Sequence, residues 1–191
     1  IILLGMIAGF IILRLRNILG RKTGHDSKVY PNFSEKKFNM PDAAVKNHKP
    51  NHDVLEGQEK KEFLKGAEIA YETILTSFAN GDAKKLRNLL TPNIAKSFEE
   101  AIDLRNKDNI KSEFTFIGMK QSNVEKYDKI KNEIFASVKF VSEVISVKRD
   151  SDNKIIDGNP DKIKLVTDYW KFTRNILNKS PNWYLSEIDS K

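Results

Sequence analysis

The sequence predicts an α+β domain, helices first and then an antiparallel sheet, carried behind an apolar amino-terminal helix. Three observations predict it. The opening residues, IILLGMIAGFIIL, hold no charge. From Glu59 to Lys107 apolar residues recur at helical intervals. From Lys111 onward they recur at every second residue, the period of a strand. A block of helices followed by a block of strands argues for helices packed on one face of a sheet. The expected form is a strongly curved, cone-like sheet of four antiparallel strands, preceded by a membrane helix and a disordered tether.

The membrane helix is placed at residues 1–19. Its apolar run breaks into RLRNILGRKTG, where Arg14, Arg16, Arg21 and Lys22 arrive together. An uncharged run followed at once by a basic cluster is how a membrane helix ends at an anionic cytoplasmic surface. Thirteen helical residues span only about 20 Å, against ~30 Å of hydrocarbon. The chain begins with Ile, and a few more apolar residues upstream would complete the span. A secretory signal would put its charges before the apolar run and small residues after it, the reverse of what is found. A core helix would show one apolar stripe, whereas Ile1, Leu4, Ile7, Phe10 and Leu13 and their neighbours cover every face. This reading makes the chain a single-pass protein of a bacterial inner membrane, with everything after the basic cluster on the cytoplasmic side.

Composition narrows the function classes. The 191 residues allow one ordinary domain plus appendages. The absence of Cys excludes disulfides and thiol chemistry. Residues 1–58 carry nine Lys/Arg against five Asp/Glu, and residues 59–191 carry twenty-four against twenty-one. The basic excess therefore sits beside the apolar run. That favours anionic phospholipid as a partner and leaves no reason to expect nucleic acid. Residues 20–58 read as basic flank and tether: Pro31, Pro41 and Pro50 punctuate a polar stretch with no lasting apolar period. His48 and His52 stand four apart, but Pro50 lies between them and no HExxH glutamate accompanies them, so no metal is expected.

The domain, residues 59–191, opens on a long helix. Phe63, Leu64, Ala67, Ala70, Tyr71, Ile74, Leu75 and Phe78 fall on one face. Gly81 stops it, and Asp82 caps a short second helix with Leu86, Leu89 and Leu90 inward. Thr91-Pro92 gives an N-cap and a proline at the first position of a third helix, which presents Ile94, Phe98, Ala101 and Ile102. Strand character begins with SEFTFIGMK. In NEIFASVKFVSEVISVKRD, Ile134, Ala136, Val138 and Phe140 share one side and Val141, Ile145 and Val147 the other, which implies a bulge or two covered faces. SDNKIIDGNPD reads as a connection rich in turn residues; its Lys154 and late Gly158 depart from a calcium loop. Then Val166, Asp168, Trp170, Phe172 and Arg174 share one face of a third strand, and NWYLSEID supplies a fourth.

No catalytic constellation is visible. Residues 59–191 contain neither His nor Cys, so the commonest acid/base and nucleophile pairings are missing. No enzyme activity and no cofactor are expected. LGRKTG resembles the end of a phosphate-binding loop, but Arg21 replaces the glycine and no strand precedes it. Asp168, on an apolar face, is either a pocket acid or a structural carboxylate paired with Arg174 or Arg105. The pocket candidates are Tyr71, Phe78, Phe98, Phe114, Phe116, Asp168, Trp170, Phe172 and Trp183. A concavity lined by Phe114, Phe116, Trp170, Phe172 and Trp183 would take an acyl chain or a peptide, or those rings are plain core. The alternative function is a small-molecule enzyme using Asp168, or a ligand carrier.

Five pieces of the chain match a known family: ILRLRNILGRKTG after an apolar start, FLKGAEIAYETILTSFANGDAKKLRNLLTPNIAKSFEEAI, FVSEVISVKRD, GNPDKIKLVTDYWKFTRN and SPNWYLSEID. In that order they resemble the bacterial members of the Tim44-like family, relatives of the mitochondrial inner-membrane import-motor subunit. The resemblance implies a cone-like α+β fold similar to nuclear-transport-factor-two-like proteins, with a large apolar pocket. It implies membrane association, lipid contact near the first helix of the domain, and a non-enzymatic scaffold that assists protein translocation or engages chaperones. Lys60, Lys61 and Lys65 occupy the start of the matching helix. The long amino-terminal region through which the mitochondrial relative engages the motor has no counterpart here.

Overall fold

The computed structural model describes residues 55–178 and 180–189. The expected membrane helix, Arg14, Arg16, Arg21 and Lys22, and nearly all of the expected tether lie outside them. Among the described residues no helix is long and apolar enough to cross a membrane.

Three helices come first: α1 (Gly57–Asn80), α2 (Ala83–Arg87) and α3 (Pro92–Lys107). Helix α1 starts two residues ahead of the expected Glu59 and buries Phe63, Ala67, Tyr71, Ile74, Leu75 and Phe78, the stripe that a 3.6-residue period dictates. Gly81 ends it in the left-handed region at φ 73, and Gly81 N–H donates back to Phe78 O. Asp82 caps α2 by accepting from Lys85 N–H at 3.0 Å. Thr91 stands at the N-cap of α3 with Pro92 behind it, although the threonine side chain makes no capping bond.

Five strands follow: β1 (Lys111–Ile130), β2 (Glu133–Arg149), β3 (Ile155–Gly158), β4 (Lys164–Asn175) and β5 (Tyr184–Asp189). They are antiparallel in the order β1-β2-β4-β5, with β3 also paired to β2. The expected count of four is corrected to five. Residues 155–158 pair with 147–149 after a tight turn, where the sequence shows little but turn formers. Gly158 makes this possible: its φ is +88, and a Cβ there would lie 2.1 Å from Ser146 O. Strand β2 alternates strictly from Ile134 to Ser146, its even residues buried; Val147 is then buried as well, at the stretch that β3 pairs. Strand β1 runs well past Lys120, with register shifts at Phe116/Gly118, Met119/Gln121 and Val124/Lys126.

The sheet wraps α1. The ring of Tyr71 meets Phe116 on β1, Phe140 on β2 and Trp170 on β4, so three strands reach one helical side chain. Phe78 packs on Phe98 of α3 at 5.1 Å. The link between α2 and α3 is sewn to β5: Leu185 N–H donates to Leu89 O and Thr91 N–H to Leu185 O. The result is helices seated in the concave face of an antiparallel sheet.

Candidate functional site

A groove opens between the amino-terminal half of α1 and the far edge of the sheet. On α1, Glu59, Glu62, Gly66 and Ala70 follow one another at steps of three and four residues, so they form one stripe along the helix. This stripe runs beside the buried stripe of Phe63 and Ala67. Phe172 and Arg174 of β4, Tyr127 of β1 and the approach to β5 at Trp183 supply the other walls. Leu55, Asn88, Leu89, Pro181 and Asn182 complete the lining, and the volume of the groove is about 560 Å³. That is within the range of pockets that hold small organic ligands.

Residue size creates the groove. Gly66 faces it with no side chain, and a Cβ built there would touch nothing within 4 Å. Opposite, Trp183 is held by Phe63, ring centroids 4.7 Å apart, and by the Arg174 guanidinium 5.1 Å from its ring. The cation over the indole fixes both groups and brings a positive charge to that wall. Glu59 and Glu62, both exposed, put negative charge on the α1 side. An aromatic floor with opposite charges on facing walls can hold a guest that is apolar in the middle and charged at its ends. It offers no nucleophile with an adjacent base.

Asp168 lies elsewhere, in the core. It is 7% exposed, and Tyr71 donates its phenolic proton to Asp168 Oδ2 at 2.5 Å. Ser142 Oγ is 3.0 Å from the same phenol oxygen and can donate to it. Burial pushes the Asp168 carboxyl above the usual aspartate value, while the Tyr71 hydrogen bond pulls it partly back. Burial, and then the charge of Asp168, raise the Tyr71 phenol far above its ordinary value, so it stays protonated. The expected arginine partners are corrected: Arg174 stacks on Trp183, and Arg105 lies over Phe78 at 5.3 Å.

Of the nine pocket candidates, Phe172 and Trp183 line the groove. Tyr71, Phe78, Phe98 and Trp170 are buried in the core, as is Asp168, and Phe114 and Phe116 pack half-buried against it. The expected concavity is therefore displaced toward the start of α1, because Tyr71 fills the middle of the sheet's inner face. Lys61 and Lys65 are exposed one turn apart, Lys60 is half-buried, and none of the three lines the groove. Glu59, Glu62, Gly66 and Tyr127 are lining residues that pattern reading did not single out, and Arg174, expected beside Asp168, lines the groove instead. Gly66 and Ala70, small and four apart beside an apolar stripe, were the available signal. Among the described residues no cluster of His, Cys, Asp or Glu is suited to hold a metal.

A family model described as the Tim44-like domain matches residues 53–190. No curated protein matches the chain in sequence. Among solved structures, the intermembrane-space region of the chloroplast protein ARC6 is similar at 11% identity and a TM-score of 0.46, over 66% of this chain and 94% of that one. A protein of the NTF2-like family from Streptomyces avermitilis is similar at 11% identity and 0.37, over 69% and 99%. A de novo designed β-sheet protein is similar at 10% identity and 0.31, over 68% and 87%.

Proposed function

The chain belongs to the Tim44-like domain family, and from that membership we propose that it is a membrane-associated, non-enzymatic binding module whose groove takes the apolar part of an amphipathic guest. One observation carries the reading: Leu55, two residues before α1 begins, lines the groove that Gly66 and Trp183 hold open. The stretch joining the amino-terminal apolar run to the domain therefore ends at the rim of the binding site. A guest drawn from the membrane surface meets that rim first.

The charge pattern supports an anionic phospholipid as the guest, its acyl part on Phe63, Phe172 and Trp183 and its phosphate toward Arg174. Asp168 supports the non-enzymatic reading: it is engaged by Tyr71 in the core and does not face the groove. In this reading the apolar run anchors the chain in a bacterial inner membrane, the basic cluster holds the following segment to its cytoplasmic surface, and the domain serves protein translocation as a scaffold.

The test uses Gly66→Leu, which places a side chain in the groove at a position where nothing clashes and helix propensity improves. The full chain is extracted from membranes in mild detergent and weighed by native mass spectrometry. The expected result is a bound phospholipid whose occupancy falls at least tenfold in the variant. Equal occupancy in both proteins, with matching circular dichroism, overturns the reading.

A further inference from the structure

We propose that two copies of this chain associate back to back through the outer face of the sheet, β2 stacked antiparallel on β2 about a two-fold axis at Val141. The outer face lies away from the groove, so this contact is independent of the binding function above. Three observations support it.

The first is an apolar face that the core does not use. Val141 and Ile145 alternate with the inward residues of β2, which implied a bulge or a second covered face. The structure removes the bulge: β2 pairs with β4 in unbroken register from Glu133 to Val144. The core that the helices complete takes Ala136, Val138, Phe140 and Val144 from β2, all from the inner side. On the outer side, Phe135, Val141 and Ile145 are three of the six odd-numbered residues from 135 to 145. A sheet face left to water alternates to polar residues instead. Leu165 of β4, the partner of Glu143, is 61% exposed. Ile117 of β1, next to Gly118 on the other flank of Glu143, is 44% exposed.

The second is the order of charges along β2, which complements itself when a second copy is turned end for end. Lys139 and Glu143 stand two residues either side of Val141, on the same outer face. A two-fold axis at Val141, lying between the sheets and across the strands, sets Lys139 of each copy against Glu143 of the other. The same operation sets Leu165, the neighbour of Glu143, against Tyr169, the neighbour of Lys139. Stacking the strands parallel would set like charges face to face, which is disfavoured. Lys139 lies 6.0 Å over the Tyr169 ring and Glu143 holds Lys120 at 3.0 Å, so both charges are already posed among the outer residues. An isologous contact requires such a self-complementary patch.

The third is area. Between residues 135 and 145 of β2, strands β1, β2 and β4 with the paired part of β5 present up to about 600 Å² per copy, from spacings of about 4.8 Å and rises of about 3.4 Å. Two copies then bury up to about 1,200 Å², the lower end of specific interfaces, which suits a dimer with a Kd of roughly 1–100 µM. Twisted sheets stack face to face at about 30°, an angle that side chains as long as Lys139 and Glu143 can bridge.

The test is sedimentation equilibrium of the full chain in density-matched detergent. The wild type should pass from monomer to dimer across the micromolar range. Lys139→Glu and Glu143→Lys should each weaken the dimer at least tenfold. The double variant, which exchanges the two charges, should return to within about threefold of the wild type. Mixed in equal amounts, the two single variants should form a heterodimer tighter than either homodimer. Leu165→Ala, at an exposed side chain outside the core, should weaken the dimer about fivefold and guards against effects on folding. Leu177→Ala, 72% exposed beyond the end of β4, should leave it unchanged. A monomer at every concentration overturns the proposal. So does a dimer that ignores the charge variants and Leu165→Ala, which assigns the contact to another surface such as the amino-terminal apolar run. Weakening by the single variants without rescue in the double overturns the end-for-end arrangement. Lipid occupancy of the groove is read separately through Gly66→Leu, so either reading can fail alone.

Discussion

The two halves of α1 lie on one sheet and are treated oppositely. From Tyr71 to Phe78 the helix offers large side chains, and β1, β2, β4 and α3 close on them, leaving Tyr71 and Ile74 with no exposure. From Glu59 to Ala70 it alternates Phe63 with Gly66, Ala67 and Ala70, and the sheet does not close. The difference teaches that the groove is a consequence of residue size along a single helix, while the backbone plan is common to both halves. One half stabilises the fold; the other leaves room for something else.

The largest effect should come from the closed half. Phe98→Ala removes the ring that seats Phe78 and should cost about 3–5 kcal/mol in chemical denaturation, as for other buried aromatics. Trp183→Ala, in the open half and partly exposed, should cost about 1–2 kcal/mol by lost area. If the two losses are equal, the groove is as much a part of the core as Phe98 is, and the contrast fails.

An intermediate effect concerns the acid inside the closed half. The folded chain holds Asp168 at a raised value, so it binds that proton more readily than the unfolded chain does. The contribution of Asp168 to stability is therefore fully present below the usual aspartate range and is lost as pH rises through the raised value. Asp168→Asn, which can still accept from Tyr71, should flatten that part of the curve of unfolding free energy against pH. A pH dependence of the opposite sign that Asp168→Asn removes would show that the Tyr71 hydrogen bond outweighs burial.

The smallest effect is a gain. Gly66→Ala meets no atom and should stabilise the helix by about 0.5–1 kcal/mol in thermal unfolding. A loss instead would mean that something already rests against that glycine in the full chain.

The sequence made α1 and α3 legible because their apolar residues keep one period without interruption, and β2 and β4 because apolar residues recur at every second position over Ile134–Phe140 and, around Asp168, over Val166–Phe172. The second half of β1 was not legible. It is an edge strand of polar residues, and each of its three register shifts resets the alternation. Strand β3 was hidden because four residues inside a turn-rich stretch carry no period. The place of Asp168 on an apolar face was readable, but its partner Tyr71 lies 97 positions away and on a helix. The groove was hardest to foresee, since glycine and alanine announce an opening only once the indole across from them is known.

The stepped course of β1 has a consequence for a crowded surface, such as the membrane at which the proposed function would put the chain. Proteins gathered at a surface collide far more often than in bulk, and a straight outer strand invites a neighbour to add its own. Here the outermost strand is offset three times along its length and carries Lys120, Lys126 and Lys129. No long ledge of evenly spaced amides is on offer, so crowding should not seed fibrils from this margin.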